Sequence, residues 1–357
     1  MFRYREKDIA KRILERLKEL NLEIRIMHVC GTHQDTLVRF GLSDLLCDAG
    51  VEIRQGPGCP VCVTTPMEID EAITLAMKGK TIATFGDMLR VPGENGSLFD
   101  AKAEGCDIRT VYSINESIEI AKKIEKDLVF MAIGFETTAP STASTILNNP
   151  PENFSVLTCH RAIPPAMEVL LKMGELKIDG FIDPGHVSTI IGTKPYELIS
   201  QKFNVPQVIA GFEPLDLLMG VYMIARQIKN GEARVENEYT RVVKEEGNKK
   251  ALKVMDEVFR QSDLGWRGFS VIPESGFSLK EEFERYDSRK RFEDELKELQ
   301  QREFKEPEGC KCGEVLRGII YSDECPLFGG ACTPQHPVGP CMVSREGSCN
   351  ILLRHGR

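Results

Sequence analysis

The sequence predicts an α/β protein of two small doubly wound parallel-sheet domains followed by a cysteine-rich C-terminal segment. Three observations carry this. Short, nearly continuous apolar runs alternate with stretches of helical periodicity, the pattern of parallel strands covered on both faces. The alternation comes in two series, which fits two small sheets better than one large one. Six of the twelve cysteines then fall in the last 48 residues, on irregular Gly- and Pro-rich sequence.

An amphipathic helix comes first, over residues 5–20, with Ile9, Ile13, Leu14, Leu17 and Leu20 at helical spacing among charges. The first βα series has strands at 22–29, 51–55, 80–85 and 109–114, with helices near 34–47, 66–78 and 115–125. The second has strands at 128–135, 154–160, 178–185 and 206–213, with helices near 139–147, 163–173 and 214–229. This divides the chain into an α/β domain at 23–126, a second at 127–230, and a helical or irregular unit made of 1–22 and 231–357. Within that last unit, residues 234–250 read as a charged connector or helix and 264–279 as irregular. Residues 279–308 alternate in charge, as a solvated helical face does. The tripeptide GFE recurs at 134–136 and 211–213, each time where a strand enters a helix. That recurrence does not make a repeat, but ligands of open parallel sheets bind beyond the carboxyl ends of strands.

A net charge of −8 without an uninterrupted Lys/Arg block excludes a nucleic-acid footprint. The charged N-terminal stretch has no apolar h-region, so no signal peptide is expected. The longest apolar runs, such as 217–225, fall far below the roughly 18 residues of a membrane span. The expectation is a cytoplasmic protein with no membrane partner. Cytoplasmic thiols are kept reduced, so the cysteines point towards metal or redox chemistry.

Two motifs place cysteines where a strand turns into a helix. In GPGCPVC, Cys59 and Cys62 stand one helical turn apart, where a helix N-terminus favours the thiolate of the first. A redox-active pair presented to a cleft is favoured there over a zinc half-site, which lacks a second pair at finger spacing, or a structural pair. In CGTHQDT, Cys30 ends a strand, Gly31 allows a sharp turn and Thr32 is a candidate N-cap for a helix beginning near His33. A thiol with an imidazole three residues on reads as a nucleophile with its base or as a metal ligand with its partner, a structural pair being the competing reading.

Further candidates share strand ends: Asp87 in TFGDM, Glu136, Thr137 and Thr138 in GFETTAP, and Cys159 and His160 in TCHR. Each alone could be a helix cap or a satisfied polar group, and for Thr137 and Thr138 that is the better reading; their convergence on one sheet edge is what raises the set. Near the C-terminus, Cys312, Cys325, Cys332 and Cys349 supply four thiolates, which suit zinc or a 4Fe-4S cluster; spacing alone does not separate the two.

Seven blocks, CGTHQDT, GPGCPVC, TFGDMLRVPG, GFETTAP, CGEVLRG, CPLFGGACTP and GPCMVSREGSC, together resemble the signature of the HypD family of hydrogenase maturation proteins, in that family's order over residues 30–349. The resemblance implies two α/β domains flanking a cleft and a third domain holding a 4Fe-4S cluster. It implies a scaffold that works with the small chaperone HypC and holds iron at Cys30, beside His33, while cyanide delivered through HypE and carbon monoxide are attached. The large subunit of a NiFe-hydrogenase is then an indirect partner. Cys59 and Cys62 become the dithiol/disulfide pair, and Cys312, Cys325, Cys332 and Cys349 the cluster ligands, with Cys341 competing for the last place. Cys47, Cys106 and Cys310 lie outside the blocks and read as incidental. On this reading a helix N-terminus holds Cys30 as a thiolate, soft enough for Fe(II) carrying cyanide and carbon monoxide, and His33 orients or protonates groups around the iron. The rival readings are a cluster-dependent thiol-disulfide oxidoreductase acting on a protein, and a zinc-stabilised binding module.

Overall fold

The computed structural model describes residues 6–299 and 302–356. Arg5, the first residue of the expected N-terminal helix, lies outside them, as do residues 300 and 301 of the charged stretch.

Eight expected strands form, as β1 (Ile24–His28), β2 (Val51–Gln55), β3 (Thr81–Thr84), β4 (Ile108–Thr110), β5 (Leu128–Gly134), β6 (Phe154–His160), β7 (Gly180–Pro184) and β8 (Gln207–Ala210). They build two all-parallel sheets joined by α crossovers, the architecture that buried apolar strands demand. The first sheet has the order β2-β1-β7-β8 and gains β9 (Val235–Asn237) at its edge; the second has the order β4-β3-β5-β6. Residues 5–20 yield the helix Lys7–Leu20, and residues 34–47 yield two helices, Gly31–Arg39 and Leu42–Cys47, separated at Gly41, whose φ of 63° no helix continues through.

Sheet membership does not follow the two sequence series. β1, with β2 on its other side, pairs with β7 from the second series (Met27 opposite Phe181), while β3 and β4 of the first series join β5 and β6 of the second (Ala83 opposite Phe130). The division at 126/127 therefore falls inside the second sheet. Helix Lys7–Leu20 also departs from its expected place beside the C-terminal unit. It buries Ile13 and Leu17 in one cluster with Leu217, Leu218 and Val221 of helix Pro214–Asn230, on the outer face of the first sheet. Apolar periodicity showed that this helix needs a partner, but not which one.

The C-terminal third is more regular than its sequence suggested. β10 (Phe259–Gly265) and β11 (Val271–Leu279) form an antiparallel ribbon, and helix Lys249–Val258 packs on helix Ala139–Leu147 of the second sheet. The charged stretch is not one solvated helix. It breaks into short turns, including helices Ser288–Arg291 and Glu293–Leu296, that bury Tyr286, Phe292 and Leu296. The largest apolar cluster runs from one sheet to the other through Met27, Val29, Val129, Phe181 and Trp266 and on to Leu316 and Met342. At ~1.5–3 kcal/mol for each fully buried large apolar side chain, this shared core binds the two sheets and the cysteine-rich segment together.

Candidate metal and thiol site

Cys30 is the N-cap residue of helix Gly31–Arg39, so the helix begins two residues earlier than the expected cap at Thr32. The residue is extended (φ −150°), which lets the strand-to-helix turn close at Gly31. The thiol is buried, and burial pushes it up to about 11, with the nearby His33 backbone opposing the rise and Glu346 adding to it. The expected thiolate is therefore not what the fold provides. A buried, short helix terminus does not repay the loss of solvent around a charged sulfur, so a metal binding here must displace a proton.

His33 is fully buried. Its Nε2 donates to the carbonyls of Gly211 (3.0 Å) and Ala210 (3.3 Å), leaving Nδ1 unprotonated and without a partner among the described residues. Loss of solvent holds the ring neutral, with its pKa at about 3. The ring also packs against Phe212, in the second GFE segment, at 5.2 Å between centroids. The imidazole thus ties the Cys30 helix to the end of β8.

Cys59 and Cys62 form a disulfide across helix Pro60–Val63, and the Cys62 N–H donates to the Cys59 sulfur at 3.2 Å. Neither residue is exposed, contrary to the expected presentation in a cleft. The loop before them lies on the Cys30 backbone. The Gly31 N–H donates to the Gly58 carbonyl at 3.2 Å, and a side chain at Gly58 would land on the Cys30 amide. This close approach is what the GPG sequence supplies.

The C-terminal segment closes the site. A side chain at Gly31 would come within 2.5 Å of the Glu346 carbonyl, and Ser344 donates to Asp87 at 3.3 Å. Asp87 is exposed and faces Ser344 and Glu346. The six late cysteines converge. A side chain at Gly339 would sit 2.5 Å from the Cys310 sulfur and 2.6 Å from that of Cys312, and the Val338 N–H donates to the Cys332 sulfur at 3.3 Å. Cys341 is fully buried beside Cys312 and Cys349, and Cys312 and Cys341, with Ser322, hold the Cys349 thiol well below its ordinary range. Cys325 acts on Cys349 electrostatically. Cys310 is thus not incidental by position.

Among the described residues no group of three or more His, Cys, Asp or Glu is set to hold a single metal ion. The donor chemistry nevertheless fits an iron–sulfur cluster. Cys312, Cys325, Cys332 and Cys349 are buried soft thiols, and backbone N–H groups are directed at sulfur, as such clusters require.

Other candidates disperse. Glu136 is buried, accepts from the Ile163 N–H at 3.0 Å through one oxygen, and is lifted to about 7 by burial. Thr137 is exposed, and Thr138 donates its hydroxyl to the Ile133 and Phe135 carbonyls at 3.2 Å, a satisfied polar group with no side-chain cap bond. His160 is within 2.9 Å of Thr142 and is held at about 3 by burial, and its ring packs edge-on against Phe259. Cys159 lies among the buried charges of Glu68, Arg289 and Arg161. Asp183, missed in the sequence reading, is fully buried at the end of β7, with neither oxygen partnered among the described residues. Its signal was the DPG that ends the strand.

A model described as "HypD: Hydrogenase formation hypA family" matches residues 5–356. The chain belongs to the HypD family. It is 47% identical to a putative hydrogenase expression/formation protein of Methanocaldococcus jannaschii over the full length of both. It is 42% identical to a hydrogenase maturation factor of Bradyrhizobium diazoefficiens and 40% identical to one of Cupriavidus necator, each over 99% of this chain and 96% of the other. The HypD match covers both sheets and all the sulfur sets described above. No helix among the described residues is long and apolar enough to cross a membrane.

Proposed function

We propose that this HypD-family chain is a cytoplasmic NiFe-hydrogenase maturation scaffold. With a HypC-like chaperone it holds an Fe(II) ion as cargo at Cys30 while cyanide from a HypE-like donor and carbon monoxide are attached; the hydrogenase large subunit is the eventual recipient. The observation that carries the reading is the order of the sulfurs. Cys30 lies on the disulfide loop at Gly58, and the Cys62 sulfur lies 3.9 Å from the Pro340 carbonyl, next to Gly339 and the Cys310 and Cys312 sulfurs.

A 4Fe-4S cluster held by Cys312, Cys325, Cys332 and Cys349 would supply electrons one at a time. The chain's own residues do the rest. On taking up two electrons and two protons, the Cys59–Cys62 bond opens to two thiols. Cys30 gives up its proton to gain an iron bond. His33, neutral and pinned through Nε2, positions the Cys30 helix. A thiol-disulfide oxidoreductase acting on a protein is disfavoured, because exchange needs access to a sulfur and neither Cys59 nor Cys62 is exposed.

The test is anaerobic copurification with the HypC-like partner, reading iron and sulfide. Cys30→Ala is expected to lose the iron of the complex that is not matched by sulfide while keeping the sulfide-matched iron. Unchanged total iron would sink the assignment of Cys30.

A further inference from the structure

We propose that Cys310 belongs to the metal-binding thiol set and can take the place of Cys312 as a ligand. The proposal rests on the cluster reading above and deepens it. Cys310 and Cys312 bracket Lys311 in a turn entered through Gly309, whose φ of 76° reverses the chain. Both sulfurs then meet the same point, 2.5 and 2.6 Å from the place a Gly339 side chain would occupy. The absence of a side chain at Gly339 is what admits two sulfurs to one corner. Cys312 is buried deeply (5% exposed) and heads the helix Cys312–Leu316, while Cys310 is only half-buried, on a turn outside that helix.

Two sulfurs converging on one backbone position can offer a metal the same coordination direction. When Cys312 holds the metal, Cys310 stays a thiol and its S–H donates to the Cys312 sulfur. When Cys312 is missing, Cys310 loses its proton and forms the metal–sulfur bond, one proton released for one bond made. The metal then has a ligand nearer solvent, and exposure of a ligand alters a cluster's potential. Cys341 differs. It is fully buried beside Cys312 and Cys349.

The experiment compares the full chain, purified anaerobically, as wild type, Cys310→Ala, Cys312→Ala and the double variant. Iron, sulfide and zinc content, visible spectrum and reduction potential are read, with circular dichroism confirming a common fold. Wild type and Cys310→Ala are expected to carry about four irons and four sulfides. Cys312→Ala should retain more than half of that iron at a shifted potential, and the double variant should fall at least about fivefold below it. Equal loss in Cys312→Ala and the double variant, both folded, overturns the proposal. Should either variant fail to fold, the potential of Cys310→Ala decides: a shift from wild type supports the shared corner, and identity overturns it. Zinc without sulfide in the wild type would defeat the cluster reading alone, because zinc content in the same four chains still reads the pairing of Cys310 with Cys312.

Discussion

Glu136 shows how a single side chain couples this fold to pH. Burial lifts its carboxyl from 4.5 to about 7, so between those values the folded chain binds a proton that the unfolded chain does not. Its contribution to stability is full below pH 4.5 and is lost as pH rises through 7. His28, His33 and His160 act oppositely. Burial lowers them from 6.5 to about 4, 3 and 3, so their contribution is present above pH 6.5 and fades as pH falls towards those values. Glu136→Gln should therefore gain stability relative to wild type between pH 5 and pH 8, by up to ~3 kcal/mol. Urea midpoints at the two pH values check this, and an unchanged difference between variant and wild type would remove Glu136 as the source. Cys30, Cys59 and Cys62 were legible in the sequence because glycine and proline mark the turns that carry them. Asp183 and Glu346 were not, because each acquires its surroundings from segments far away in the chain.

Among the elements, the short helix Ser288–Arg291 depends on one ion pair. Arg289 meets both oxygens of Glu71, from helix Pro66–Met77, at 2.7–3.1 Å and also donates to the Thr158 carbonyl of β6 at 2.7 Å. Glu71 has no exposed surface, so removing its partner strands a charge out of water. Arg289→Met should cost ~3–5 kcal/mol, and adding Glu71→Leu should restore a large part of it. Thermal unfolding of the single and double variants measures both; equal melting temperatures for the two would show that the pair is not coupled. The eight strands were readable from apolar runs alone. The ribbon β10–β11 was not, because its alternation is broken by Pro273 and the glycines Gly268 and Gly276, and its register shifts between Ser262 and Leu264.

At the scale of the whole molecule the two sheets share a core. Trp266, the sole tryptophan, stacks on Phe135 next to the second sheet at 6.0 Å and donates to Ser275 at 2.8 Å. Because the same apolar cluster reaches Phe181 of the first sheet, tryptophan fluorescence and far-ultraviolet circular dichroism should report one coincident unfolding transition. Two separated midpoints would mean that the sheets unfold independently. Fold class could be read from composition and periodicity, whereas the allocation of strands to sheets could not, since β3 and β7 are both buried along their whole length and nothing local tells which sheet each will join.

The pairing of β1 with β7 also sets a schedule for biosynthesis. When the ribosome has released β1 and β2, the strand that completes their sheet is still about 125 residues from synthesis, and the whole second sheet is made in between. The segment bearing Glu346, which closes over Gly31, emerges later still. The nascent chain consequently exposes Cys30, and the enclosure that gives this thiol its character is complete only once Glu346 has been made.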